Sequence, residues 1–139
     1  MSKKILRIEY DFDFSVIGIS SQLKDYRLCW FINHALELEF SRQDDLELLL
    51  ENGSASYFSC YHHTFENLET EFYLVSNKGT AGLFIPENKE TDFILVANQR
   101  LSHAEEKKLV QLINRLSDVQ AAYLIDAESL KSKENLLFM

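Results

Sequence analysis

LFIPENKETDFILVAN, residues 83–98, holds the only proline of the chain between two apolar runs and includes five consecutive apolar residues, Phe93-Ile94-Leu95-Val96-Ala97. A short apolar run without alternation, and with two β-branched members, predicts a central strand covered on both faces. Pro86 carries no amide hydrogen and pushes Ile85 toward extended geometry, so it predicts the end of a strand over 83–85. The polar Glu87-Asn88-Lys89-Glu90 then reverses the chain into the next strand. Asp92 stands at the mouth of that strand, where its carboxylate can accept loop amide hydrogens.

Upstream, residues 6–14, LRIEYDFDF, alternate apolar and charged positions, the period of a strand with one buried face. Glu9, Asp11 and Asp13 fall on its other face. Like charge there guards an edge strand against aggregation, or else meets a cation or a basic partner. Gly18 and Ser20-Ser21 punctuate, and Ser21 predicts the cap of a helix over 22–36. That helix places Leu23, Tyr26 and Trp30 on one stripe and Leu28, Phe31, Ile32 and Ala35 on an adjoining one. So broad an apolar surface predicts contact with more than one neighbour, with Tyr26 and Trp30 as core rather than a stacking platform.

Residues 36–40 alternate again and 46–51 form a further extended run. Asn52-Gly53 matches a two-residue hairpin turn that sets Leu50 opposite Ala55 and Leu48 opposite Tyr57. Residues 72–75 predict a strand joined through Asn77-Lys78-Gly79 to 83–85. Ser102 and Glu105 fit a capping box, opening a helix to Leu116 with Leu109, Leu112, Ile113 and Leu116 on one face. Val119, Ala121, Tyr123 and Ile125 predict a last strand, and Asp126 the cap of a short turn. The apolar Leu136-Leu137-Phe138-Met139 requires docking, on this fold or on a second subunit. The expected architecture over 1–139 is a single α+β domain: a mainly antiparallel sheet packed by two longer α-helices and a short C-terminal helix.

On these stretches the chain resembles the IPExxxVDY family, small bacterial proteins named for a motif and without an assigned activity. Ile85-Pro86-Glu87 and Asp92 match, and Asn88, Lys89 and Glu90 fill the free positions. Thr91 stands in place of Val and Phe93 in place of Tyr, keeping β-branched and aromatic character without the phenol hydroxyl. The likeness extends to Leu23-Lys24-Asp25-Tyr26-Arg27-Leu28 with Trp30 and Asn33, and to residues 130–136, LKSKENL. It implies a single small domain of bacterial cytosolic origin and supplies no catalytic or binding residues.

Composition narrows the function classes. A net charge of −8, from 14 cationic and 22 acidic residues, opposes binding to nucleic acid or an anionic membrane. No apolar stretch approaches the roughly 20 residues of a membrane helix. Two cysteines and no secretory signal point to a soluble cytoplasmic protein. None of the four glycines forms a dinucleotide fingerprint or phosphate loop, which disfavours ATP- and NAD-dependent activities.

Cys60 and His62 share one face of a strand and are the residue types zinc prefers, with His63 pointing away. Two ligands make no site by themselves, and further ones would come from places such as His34 or His103, so no metal and no cofactor are expected. Cys29, among Leu28, Trp30 and Phe31, reads as a small core hydrophobe. Pro86, Glu87, Asp92 and Phe93 are the candidates for a motif that binds a partner. The expected function is a non-enzymatic cytosolic interaction or accessory module, engaging an unidentified protein or a second copy of itself. The alternative is a small hydrolase or metal-dependent enzyme in which Glu87 and Asp92 pair for acid/base work, with His62 beside them.

Overall fold

The computed structural model describes residues 13–66 and 69–139. In chain order the elements are β1 (Ser15–Ser21), α1 (Asp25–Leu36), β2 (Ser41–Arg42), β3 (Leu46–Leu49), β4 (Ala55–Phe58), β5 (Cys60–Thr64), β6 (Glu71–Ser76), β7 (Phe93–Ala97), α2 (His103–Asn114) and β8 (Val119–Ile125), followed by 3-10 turns at Ala127–Ser129 and Lys133–Leu136. Six strands form one antiparallel sheet in the order β2-β5-β6-β7-β1-β8, while β3 and β4 form a separate hairpin. The fold is α+β.

β7 is the central strand its apolar run predicts: all five residues are buried, between β1 on one side and β6 on the other. Alternate side chains feed two cores. Phe93 and Leu95 join Ile17, Ile19, Phe72 and Leu74 against Leu28, Cys29 and Ile32 of α1 and Ile113 of α2. Ile94 and Val96 join Val16 and Val75 on the opposite face, against Phe58, Phe84, Ile85 and the C-terminal Leu130 and Leu136. The apolar C-terminus therefore docks on its own fold, with the Phe138 ring meeting Tyr73 and Phe84 edge to face.

Several expectations are corrected. The strand over 6–14 falls mostly outside the described residues, and Asp13 and Phe14 belong to no strand. Gly18, Ser20 and Ser21 do not punctuate; they lie inside β1. Gly18 is needed there because the Tyr123 ring lies over it, 2.5 Å from where a Cβ would stand. The helix opens at Asp25, behind an N-cap Lys24 whose side chain makes no capping bond. Ser21 stays in the strand, donating its hydroxyl to Asp118 O.

Residues 36–40 form no strand because α1 runs to Leu36 and Glu37 closes it in the left-handed region at φ 56°. Asn33 then supplies the partner a strand would: its side chain accepts from Phe40 N at 2.8 Å and donates to Phe40 O at 3.2 Å. The β3–β4 hairpin is shifted by one residue, pairing Leu48 with Ser56 and Leu49 with Ala55. In its turn Gly53 alone takes positive φ (89°), and its N–H bonds Leu50 O while Leu50 N bonds Ser54 O. That is a type I turn with a glycine bulge rather than the two-residue turn. Residues 83–85 pair only through the single bridge Lys78–Leu83. The α2 capping box and the Asp126 cap are present as expected.

Candidate functional site

The motif segment closes around Asn77, a buried residue just after β6. Its amide oxygen accepts from Ile85 N at 2.6 Å, and its amide nitrogen donates to Asn88 O at 3.1 Å and Thr91 O at 2.9 Å. Its backbone accepts from Phe84 N and donates to Asp92 O. Asn77 thus bonds Phe84 N through its backbone oxygen and Ile85 N through its side chain, groups that a ladder would otherwise pair, while its amide nitrogen ties down the loop at Asn88 and Thr91. Thr91, also buried, bonds its hydroxyl to Tyr123 Oη, and Ser20 Oγ donates to Glu90 O at 2.8 Å.

The four motif candidates separate within this frame. Pro86 and Glu87 are exposed, Asp92 is half-buried and Phe93 is buried in the helix-side core. Glu87 reaches the C-terminal segment, accepting from Ser132 N at 2.9 Å and Ser132 Oγ at 2.8 Å. Desolvation raises its pKa, but hydrogen bonds from the Ser132 N–H, its own N–H, the Ser132 hydroxyl and the Lys131 N–H outweigh that effect and hold the carboxyl below its ordinary value. Asp92 accepts from Ser21 N at 2.8 Å and pairs with Lys78 Nζ at 2.6 Å. Its amide partner is β1, not the loop. The two carboxylates are committed to different parts of the fold, and the structure does not bring them together as a pair.

Cys60 and His62 do share a sheet face, as the strand period requires. Cys60 is buried among apolar side chains, and burial, against a lowering effect of Arg42, pushes its thiol up to about 11. His62 is held by Glu71, Nε2 to Oε1 at 2.6 Å, and stacks on Tyr73 at 4.7 Å. The Tyr73 hydroxyl donates to the same Glu71 oxygen, and that bond, with the one from His62, lowers the Glu71 pKa. Among the described residues no group of three or more His, Cys, Asp or Glu side chains converges on a point where a metal could sit. Cys29 is a core residue whose thiol burial, aided by Asp25, pushes up to about 11.

The buried Glu106 of α2 is likewise engaged, accepting from Ser15 Oγ at 2.6 Å and pairing with Arg100 at 3.3 Å. A cleft of about 710 Å³ beside the C-terminal end of α1 and α2 has largely apolar walls, including Leu36, Leu38, Phe65, Leu109 and Leu112. Of its four charged residues, Glu37, Arg100, Glu105 and Lys108, Glu105 serves the capping box and Arg100 is the partner of Glu106.

The largest departure from the sequence pattern is in α1. Tyr26 and Trp30 are not core; they are 60% and 55% exposed, while Leu28, Cys29 and Ile32 take the buried face. The inner face of α1 packs on the sheet and on α2, and the stripe four residues apart points the other way. Trp30 is nevertheless held in place: the His34 ring lies 3.8 Å from it and bonds Trp30 O, and the Phe31 ring meets it edge-on. Arg27 lies over the Phe31 ring at 5.7 Å. Aromatic and Arg side chains fixed on a rigid helix are the composition of interface hot spots. The signal legible in the sequence is that the apolar surface of residues 23–36 exceeds what one contact can cover.

No protein-family model and no curated protein matches the chain. Among the described residues, no helix is long and apolar enough to cross a membrane.

Proposed function

We propose that this chain is a non-enzymatic protein-interaction module whose contact surface is the outer face of α1, not the Pro86 loop. The observation that carries the reading is the exposure of Tyr26 and Trp30 on a helix whose opposite face is anchored in the core. The loop carrying Pro86, Glu87 and Asp92 is the device that positions this scaffold, since its polar groups are spent on Asn77, Ser132, Ser21 and Lys78. No observation favours the hydrolase or metal-dependent alternative: Glu87, Asp92 and His62 each hold a structural partner elsewhere. With a net charge of −8, the proposed partner is a protein rather than nucleic acid or an anionic membrane surface.

Membership of the IPExxxVDY group is part of the same proposal. It is supported by the contact between two of the stretches that carry the resemblance, where Glu87 binds Ser132 and Asn135 Nδ2 donates to Phe84 O at 2.8 Å. The test is affinity capture from bacterial lysate with wild type and with Tyr26→Ala/Trp30→Ala, followed by rebinding of purified components. A binder lost with the variant, while the thermal midpoint holds, is the expected result. Identical binders with both baits, together with a retained metabolite or metal, would overturn the reading in favour of the enzyme.

A further inference from the structure

The outer face of α1 carries a shallow hollow of about 370 Å³, lined by Tyr26, Arg27, Trp30 and Phe31. Its walls are held by one another. The His34 ring lies 3.8 Å from Trp30, Phe31 meets Trp30 edge-on, and Arg27 sits over the Phe31 ring at 5.7 Å. Side chains already ordered in this way lose little freedom when a partner arrives.

Charge decides what fills the hollow. Three aromatic rings suit either an apolar side chain or a methylated ammonium group. Among residues 24–36 the exposed side chains are Lys24, Tyr26, Arg27, Trp30 and His34, and none is acidic. Lys24 and Arg27 enter no ion pair among the described residues. The one acid of the first turn, Asp25, is occupied by Arg42 at 3.0 Å and by the Tyr61 hydroxyl at 3.2 Å. The positive end of the helix dipole falls at the same end of α1. An ammonium ligand would meet like charge at Arg27, which rejects it. An apolar side chain with a carboxylate beside it meets the rings and a guanidinium that offers two parallel N–H donors.

Given the interaction-module reading, on which this rests, we infer that the partner of α1 is an acidic segment of another protein. Its aromatic or aliphatic side chain seats among Tyr26, Trp30 and Phe31, a neighbouring Asp or Glu binds Arg27, and a further acid lies near Lys24. An anionic membrane offers the same sign of charge but presents it over an extended surface, which the whole chain at −8 opposes. A short acidic segment meets the local cationic patch alone, within about one Debye length of roughly 10 Å.

Selection of phage-displayed random dodecapeptides on the immobilised full chain tests it. The enriched peptides should be net acidic, with an aromatic or aliphatic residue beside Asp or Glu. A synthetic copy free of tryptophan should bind in solution, more weakly as salt is raised. Trp30 is the only tryptophan of the chain, so its emission should change as that peptide is added to the unmodified protein. Trp30→Ala and Lys24→Glu/Arg27→Glu should each weaken binding at least about tenfold while the thermal midpoint holds.

Neutral or basic peptides whose binding is lost with Trp30→Ala would overturn the acidic partner and leave the module standing. No enrichment, or peptides that bind Trp30→Ala as they bind wild type, would also overturn it, and the module falls too if lysate capture finds no binder lost with Tyr26→Ala/Trp30→Ala. Co-sedimentation with phosphatidylserine vesicles that Trp30→Ala abolishes would overturn it in favour of a membrane surface.

Discussion

Asn77 shows how much structure one polar side chain can organise. It is buried, and its amide serves Ile85 N, Asn88 O and Thr91 O at once. Asn77→Ala would leave those groups without their partner, and we expect it to lower stability by about 3 kcal/mol in urea titration. Nothing in Ser76-Asn77-Lys78 marks this role, since an asparagine before a glycine-containing turn reads equally as a surface turn residue. Asp92 was legible as a residue that accepts amide hydrogens, but its donor Ser21 lies 71 positions away, as Ser132 lies 45 from Glu87, and no local pattern connects them. The cysteines were legible where the argument was hydrophobic: Cys29 is core, and burial first pushes both thiols up to about 11. Neither Cys29 nor Cys60 should react with a thiol reagent at pH about 8 in the native state, and labelling should follow unfolding. Rapid native labelling would contradict this burial.

Among the elements, β7 and α2 could be read directly because their signals are local. Five apolar residues in a row have nowhere to go but between two neighbours, and Ser102 and Glu105 cap each other across three positions. β1 could not. Gly18 inside Ser15–Ser21 weakens the strand signal, yet it is required because the Tyr123 ring passes over it, pinned by the hydrogen bonds its hydroxyl shares with Thr91 and Ser20. Gly18→Ala would place a methyl 2.5 Å from Tyr123 Cε1 and 2.8 Å from Ile125 Cδ1, and should destabilise by about 1–3 kcal/mol. An unchanged thermal midpoint would mean the ring can move. The hairpin slip has an equally tertiary origin. Pairing Leu48 with Ser56 turns Leu46, Leu48 and Phe58 toward the second core and leaves Leu49 outside, and the Gly53 bulge accommodates the register that this burial selects. At the sheet edge, Asn114 of α2 bonds both Ala122 N and Ala122 O, occupying part of β8 that another strand could otherwise pair.

For the whole molecule, the C-terminal segment acts as a clasp. Leu136 is buried with Phe84 and Ile85, Phe138 lies on Tyr73, and Glu87 and Asn135 bind across the same seam. Two carboxylates link this arrangement to pH. Glu71 is lowered from its ordinary 4.5 by hydrogen bonds from Tyr73 and His62, and Glu87 is lowered because bonds from Ser132 and the neighbouring backbone outweigh its desolvation. A folded-state pKa below the unfolded value contributes stability that is present above 4.5 and lost as pH falls through the folded pKa. Wild type should therefore lose thermal stability between about pH 5 and pH 3 more steeply than Glu71→Gln/Glu87→Gln, and parallel curves would refute the linkage.

The sequence by itself determined the α+β class, the central β7, the capped α2, the last strand β8 and the need to dock the C-terminus. Those features follow from periodicity, capping chemistry and apolar runs, which act over a few residues. Only the tertiary structure decided that Gly18 belongs in a strand, that 83–85 bond to Asn77 instead of a ladder, and that Tyr26 and Trp30 face outward. Each of these depends on which distant surface arrives to cover a residue, and one sheet face can cover only one side of α1.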